Sequence, residues 1–268
     1  MAEANNFQYQ DSSDSGLWKM LISISDDEMI VIMKPTEEGL GKSQLMFRKP
    51  LTGSDSDKLQ QIENSIYEHP RMMEDYATEV ILTTGKAVWV PTDYVEDEEK
   101  EEKYLCAVYR ADPADITSNS NEEESCIFSF LPGLLSFLNR TLPGCRVYSH
   151  QFLLNRELHG KNSGAPRVYV VIRRGRFDLI AYREGQLVSV STHEWRAETD
   201  MAYYVYLLAD AYDIDMEKME VIVAGLKEEK KELEKILKEM TPNVYRLKEP
   251  SAYDDMKIPL AMAFALER

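Results

Sequence analysis

Three short apolar runs on tight turns, followed by a change to helical spacing, constrain the second part of this chain more than any other feature. Residues 168–172, 177–182 and 187–190 are strand-length and rich in β-branched or aromatic side chains. The turn Arg173-Arg174-Gly175-Arg176 joins the first two, and Glu184-Gly185 precedes the third, which predicts a meander. From Thr199 the period changes, and Met201, Val205, Leu208 and Tyr212 fall on one helical face. A strand at 221–224 then closes at Gly225. A charged helix striped by Leu233, Ile236, Leu237 and Met240, a strand at 244–247 and an apolar helix at 258–266 follow. The order is β-β-β-α-β-α-β-α.

The first part repeats that order with additions. Strands are expected at 17–24, 29–33 and 44–48, with Ser25-Asp26-Asp27-Glu28 as the turn between the first two. A helix at 55–68 opens at Ser54 or Asp55 as its cap. Residues 80–83 and 88–90 are β-like, with Thr84-Gly85 turning between them. An acidic helix at 92–103, strands at 105–109 and 126–130, a helix at 134–142, a strand at 146–149 and a helix at 152–158 complete it. Residues 160–166 are small and turn-rich and read as a linker. The expected division is a disordered segment over 1–16, a first lobe over 17–159, the linker over 160–166 and a second lobe over 167–268.

Two such units in one chain are the layout of the actin-like, ribonuclease H-like folds, an α/β architecture. Nearly the whole chain resembles a bacterial family of unknown function that adopts this fold. The resemblance implies two lobes facing a cleft, where the actin superfamily holds ATP and Mg²⁺. It also implies an Asp-x-Gly turn between the first two strands of each lobe, and two adjacent glycines after the adenosine-side strand. A triphosphate needs backbone N–H groups brought close by glycine, and a carboxylate to hold hydrated Mg²⁺. Asp26 stands at the aspartate's place in the first turn, but Glu28 occupies the glycine's. In the second turn Arg173 takes the acidic place while Gly175 remains. The adenosine-side loop, Ile222-Val223-Ala224-Gly225-Leu226, has one glycine. Each loop keeps a part and loses a part. The expectation is a cleft without ATP hydrolysis, with no catalytic residue, no metal ligand and no cofactor. Under the alternative, in which ATP and magnesium bind, Asp26, Gly175 and Gly225 are the nucleotide contacts.

Arg173, Arg174 and Arg176 admit two readings. One is a tight hairpin with Gly175 at positive φ and solvated arginines beside it. The other is anion capture, because the guanidinium fork suits phosphate and carboxylate. A nucleotide, an acidic partner and the acidic first half of the chain itself all qualify as that anion.

Charge distribution bounds the partners. The chain has a net charge of -16. Residues 1–160 hold 14 Lys and Arg against 28 Asp and Glu, and residues 161–268 hold 17 against 19. The field of the first half repels a nucleic-acid backbone, so no nucleic acid is expected as partner. The acidic runs at 96–99 and 122–124 read as solvated loops or helix starts. Residues 1–16 lack the basic start and apolar core of a secretory signal, and the apolar stretch 127–138 falls short of the ~20 residues of a membrane span. Cys106, Cys126 and Cys145 are widely spaced and read as buried thiols in a reducing compartment. A cytoplasmic chain without membrane insertion is expected.

Other motifs fail on context. Gly41-Lys42-Ser43 copies the end of a P-loop, yet Thr36 stands where its first glycine belongs and a strand follows where a helix is needed. A ribonuclease H-type nuclease needs acids in its first core strand to hold two metals; residues 20–24 and 168–172 have none. Asp178, on the following strand, is expected to be exposed. His69, His150, His159 and His193 fit no metal spacing, and His193 is read as a solvated loop residue. On the helix from Thr199, Tyr204, Val205, Leu208 and Tyr212 read as core. Tyr203 and Tyr206 lie outside that stripe, where amphipathic rings mark protein contacts. The sequence therefore points to a non-catalytic scaffold or protein-interaction protein with a protein partner. The alternative is an atypical ATP-binding protein whose lobes close on nucleotide.

Overall fold

A computed structural model describes residues 15–37, 41–95, 97–161 and 164–268. The expected disordered segment at 1–16 lies outside these residues except for its last two, as do positions 162 and 163 of the expected linker and Glu96 of the acidic run. The first sheet has the order β3-β2-β1-β4-β8, from β1 (Trp18–Ile24), β2 (Glu28–Pro35), β3 (Gln44–Pro50), β4 (Ala77–Leu82) and β8 (Arg146–Ser149). β1, β2 and β3 form an antiparallel meander, and β4 and β8 add in parallel on the other side.

The second sheet repeats this plan as β11-β10-β9-β12-β13. Its strands are β9 (Arg167–Arg173), β10 (Arg176–Arg183), β11 (Gln186–Glu194), β12 (Glu220–Gly225) and β13 (Val244–Arg246). The protein is thus an α/β fold with two sheet-containing lobes.

Burial on both faces explains why the central strands read as unbroken apolar runs. Met20, Ile22 and Ile24 enter one core while Leu21 enters another. The outer face of the first sheet packs on α1 (Asp55–Tyr67) and α3 (Leu134–Thr141) through Ile62, Ile66, Leu134 and Phe137. The outer face of the second packs on α5 (Glu198–Ala211) and α6 (Lys227–Leu237) through Met201, Val205, Leu233 and Leu237. Between the sheets lie α4 (His150–His159) and α8 (Leu260–Glu267). Leu153, Leu154 and Phe264 there meet Ile30 and Ile32 of one sheet and Tyr169 and Ile180 of the other.

Several local expectations are corrected. The strand expected at 105–109 is the end of α2 (Glu98–Cys106) and the turn after it. Its cap by Asp97, the Glu99–Lys103 pair one turn apart and the buried anchor Leu105 favour the helix. The turn at Thr84-Gly85 does not join a hairpin. β5 (Ala87–Pro91) leaves the first sheet to pair with β7 (Glu124–Ser129), which also pairs β6 (Ile116–Ser120). β6 is the polar stretch Ile-Thr-Ser-Asn-Ser, which carries no apolar signal. A short helix, α7 (Ser251–Met256), precedes α8.

Of the cysteines only Cys126 is fully buried, and burial pushes its thiol up to about 12; Cys106 is exposed. Tyr212, expected in the core, is exposed because the helix ends at Ala211. Among the described residues, no helix is long and apolar enough to cross a membrane.

Candidate functional site

The carboxyl ends of β1, β4, β9 and β12 bring the turn at 25–28, Thr83, the turn at 173–176 and Gly225 toward one another across the lobes. In α/β sheets the ends of parallel strands are where ligands bind. Arg173 pairs with Arg176 in the β9–β10 register, leaving Arg174 and Gly175 as the loop. Gly175 adopts φ 67°, the left-handed conformation that glycine takes without steric cost. Trp195, just beyond β11, braces this turn. Its indole N–H donates to the carbonyls of Arg173 at 3.0 Å and Arg176 at 3.2 Å, and its backbone N–H donates to Gly175 O at 3.1 Å.

Beneath the turn lies Asp178, completely buried, against the expectation of an exposed residue. Arg173 forks onto it, Nε to Oδ2 at 2.8 Å and Nη2 to Oδ1 at 2.9 Å. Thr192, directly across the β10–β11 ladder, donates its hydroxyl to Oδ1 at 2.5 Å. His150 Nε2 approaches the same oxygen at 3.1 Å. Gln151 donates its amide to Thr192 Oγ1 at 2.8 Å and accepts from the Trp89 indole at 3.0 Å, so the network runs from β5 through α4 into the second sheet. Burial pushes the Asp178 carboxyl up, but Arg173 and His150 more than offset it and hold it well below the usual carboxylate range. Burial likewise holds the His150 imidazole below its ordinary value, against the opposing pull of Asp178. Arg173 is therefore committed to an internal carboxylate.

The acidic turn faces the basic one. Ser25 Oγ donates to Asp27 Oδ1 at 2.7 Å and accepts the backbone N–H of Glu28 at 3.1 Å, which fixes the turn. Arg176 forms an ion pair with Asp26, and its other nitrogen lies 3.5 Å from Glu194. Arg174 lies 3.5 Å from Asp27. A third cross-lobe tie comes from Arg48 of β3, which pairs with Glu28 at 3.2 Å and donates to the carbonyls of Met256 at 3.0 Å and Lys257 at 2.7 Å. Burial raises the Glu28 carboxyl, opposed by Arg48.

Gly225 is required by close approach. It adopts φ 96°, and an added Cβ would lie 2.0 Å from the carbonyl oxygen of Ile172. Its N–H donates to Glu249 Oε1 at 2.8 Å, and the same oxygen takes Lys230 Nζ. The Gly225 N–H, a nucleotide contact only under the alternative, thus holds a side-chain carboxylate.

Two cavities flank the paired turns. One, of about 390 Å³, is lined by Asp27, Thr83, Arg173, Arg174, Gly225 and Leu260 among others. The other, of about 600 Å³, is lined by Asp26, Lys58, Lys86, Arg176, Thr192 and His193 among others. Asp26 therefore lines the larger, Gly225 the smaller and Gly175 neither. Arg174 and Arg176 come together with the acidic turn of the first lobe, while Arg173 is held by Asp178. Among the described residues, no group of three or more His, Cys, Asp or Glu side chains is placed to hold a metal ion.

Sequence reasoning missed Asp178, His150, Gln151, Thr192 and Glu249. Only Asp178 and Thr192 left a trace, as polar residues on otherwise strand-like segments. His193 lies on β11, half-buried and stacked at 4.0 Å on Tyr204, rather than in a loop.

Comparison with known proteins gives a consistent fold. A family profile described as "Protein of unknown function (DUF3822)" matches residues 5–244. A search of the curated proteins by sequence finds no match. Among solved structures, a Bacteroides thetaiotaomicron protein with actin-like ATPase fold and unknown function superposes with a TM-score of 0.80 at 18% identity, covering 97% of this chain and 99% of that one. A structure described as the PilM-PilN type IV pilus biogenesis complex gives a TM-score of 0.51 at 10% identity, covering 92% and 96%.

Proposed function

The chain belongs to the DUF3822 family, which has an actin-like ATPase fold, and we propose that it is a non-catalytic, cytoplasmic protein-interaction component. The observation that carries this reading is the pairing of Asp26 with Arg176 and of Asp27 with Arg174 across the cleft. Groups that would meet a triphosphate or its Mg²⁺ meet each other. The Gly225 N–H and Lys230 have the carboxylate of Glu249 as their anion, and Arg173 has Asp178. A nucleotide would have to break these pairs before making its own contacts, and an anion replacing an anion recovers little net energy. The residues therefore do not fit ATP and magnesium as they stand. The PilM-PilN complex supplies the analogy for a protein partner at this fold, and no more.

A thermal-shift titration with ATP and ADP, with and without Mg²⁺, on the wild type and on Asp26→Ala tests the reading. A ligand specific to the folded state stabilises as RT ln(1 + [L]/Kd), about 2.7 kcal/mol at a hundredfold excess over Kd. The reading predicts no saturable shift at millimolar nucleotide. A saturable, Mg²⁺-dependent rise that disappears in Asp26→Ala overturns it in favour of a nucleotide switch.

A further inference from the structure

Helix α5 has two apolar faces. Met201, Val205 and Leu208 face the second sheet and are buried. On the opposite side Thr199, Tyr203, Tyr206, Leu207 and Asp210 follow the spacing i, i+4, i+7, i+8, i+11 and are all exposed. Tyr203 is 57% exposed, Tyr206 50% and Leu207 38%, which are high values for side chains of this size standing together. A helix that is apolar on both sides belongs between two surfaces, and among the described residues α5 has only one.

The segments that flank this outer stripe carry opposite charges. Arg196 stands exposed just before the helix, and Asp210 and Asp213 stand exposed at its far end. None of the three forms an ion pair among the described residues. Asp200 accepts the backbone N–H groups of Arg196 and Ala197 as the helix cap, and the Arg196 charge helps to hold its carboxyl low without closing an ion pair. The stripe is therefore self-complementary under a two-fold axis across the middle of the helix. Tyr203 of one copy meets Tyr206 of the other, and Arg196 of one meets Asp213 of the other, with each contact made twice.

We infer that the outer face of α5 is a homodimer interface, in which two copies pack antiparallel through Tyr203, Tyr206 and Leu207 with Arg196 paired to Asp213. Its place in the chain favours this. Residues 161–268 hold 17 Lys and Arg against 19 Asp and Glu, so the face lies on the nearly neutral part of a chain of net charge -16. Repulsion from the rest is screened beyond about 8 Å at physiological salt. One helix face per copy is small against the roughly 1,200–2,000 Å² of a standard interface, so the dimer is weak and micromolar. The inference is independent of the cleft, and nucleotide binding there leaves it untouched.

Sedimentation equilibrium of the whole chain from about 1 to about 500 μM, at physiological salt, reads the association directly. The wild type is expected to dimerise within that range. Tyr206→Glu is expected to weaken it about tenfold or more, as are Arg196→Asp and Asp213→Arg singly. The double variant Arg196→Asp with Asp213→Arg is expected to recover the wild-type constant, since each copy then offers the reversed pair. All these positions are exposed, and circular dichroism checks that each variant stays folded. A wild type that is monomeric throughout, a dimer indifferent to Tyr206→Glu, or a double variant as weak as its parents would overturn the inference.

Discussion

The turn between the first two strands sits at the same place in each lobe, yet the two are built differently. The first, Ser25 to Glu28, is acidic and held by its own serine hydroxyl. The second, Arg173 to Arg176, is basic and anchored from below by a buried carboxylate and from the side by Trp195. The same architecture thus carries opposite charges on facing loops, and on the reading proposed here each loop is the other's ligand. The asymmetry in support also says where rigidity resides. The basic turn is anchored in the core, and the acidic turn by its own serine and by the Leu51 N–H on the Asp27 carbonyl.

The largest effect is expected from removing the anchor of the basic turn. Asp178→Ala strands the Arg173 charge and leaves Thr192 and buried His150 without their acceptor, and is expected to cost about 3–5 kcal/mol in urea unfolding. A loss under about 1 kcal/mol would mean that the network is not what holds the turn. Next comes Gly225→Ala, where a Cβ meets the Ile172 carbonyl in a left-handed conformation. About 2 kcal/mol or more should be lost, against little change for Thr83→Ala near the end of the corresponding first-lobe strand, since among the described residues the buried Thr83 hydroxyl has no hydrogen-bond partner to lose.

Acid should reveal the buried network in two stages. The folded His150 titrates below its ordinary value of 6.5, so its contribution is present above that pH and is lost as pH falls through the depressed folded value. The half-buried His193 shifts the same way and adds to the first stage. Asp178 is also depressed, so its contribution stays intact down to 3.8 and is lost below. Urea midpoints measured from pH 8 to pH 3 should therefore fall twice, and His150→Gln should reduce the first fall. A midpoint unchanged between pH 7 and pH 5 would contradict the assignment. The smallest effect is expected from Ser25→Ala, roughly 0.5–1 kcal/mol, because the acidic turn is solvent-exposed and keeps its partners across the cleft.

The element order was legible because both sheets are covered on both faces. Residues 168–172 and 20–24 have no polar alternation to confuse, and the tight turns between strands are marked by charge and glycine. What escaped was set by residues outside the segments concerned, some of them far away in sequence. β6 is a strand because β7 supplies its ladder, and Leu105 is helical because Asp97 caps the segment. In the cleft, the turns and Gly225 could be placed from their sequence neighbours. Asp178 could not, because its burial depends on His150, 28 residues away, and on Thr192, 14 residues away. A lone acid on a strand looks exposed until its partners are known.

The most direct measurement of the central claim is reversal of the charges on the facing turns. One variant carries Asp26→Arg with Asp27→Arg, a second carries Arg174→Asp with Arg176→Asp, and a third carries all four. Urea unfolding gives the free energy of each, and small-angle X-ray scattering gives the separation of the lobes. If the turns hold each other, each half-reversal sets like charges across the cleft, lowers stability by about 1 kcal/mol or more and opens the lobes, and the full reversal recovers most of both. Losses that simply add in the four-fold variant would show that the two turns stand beside each other without pairing.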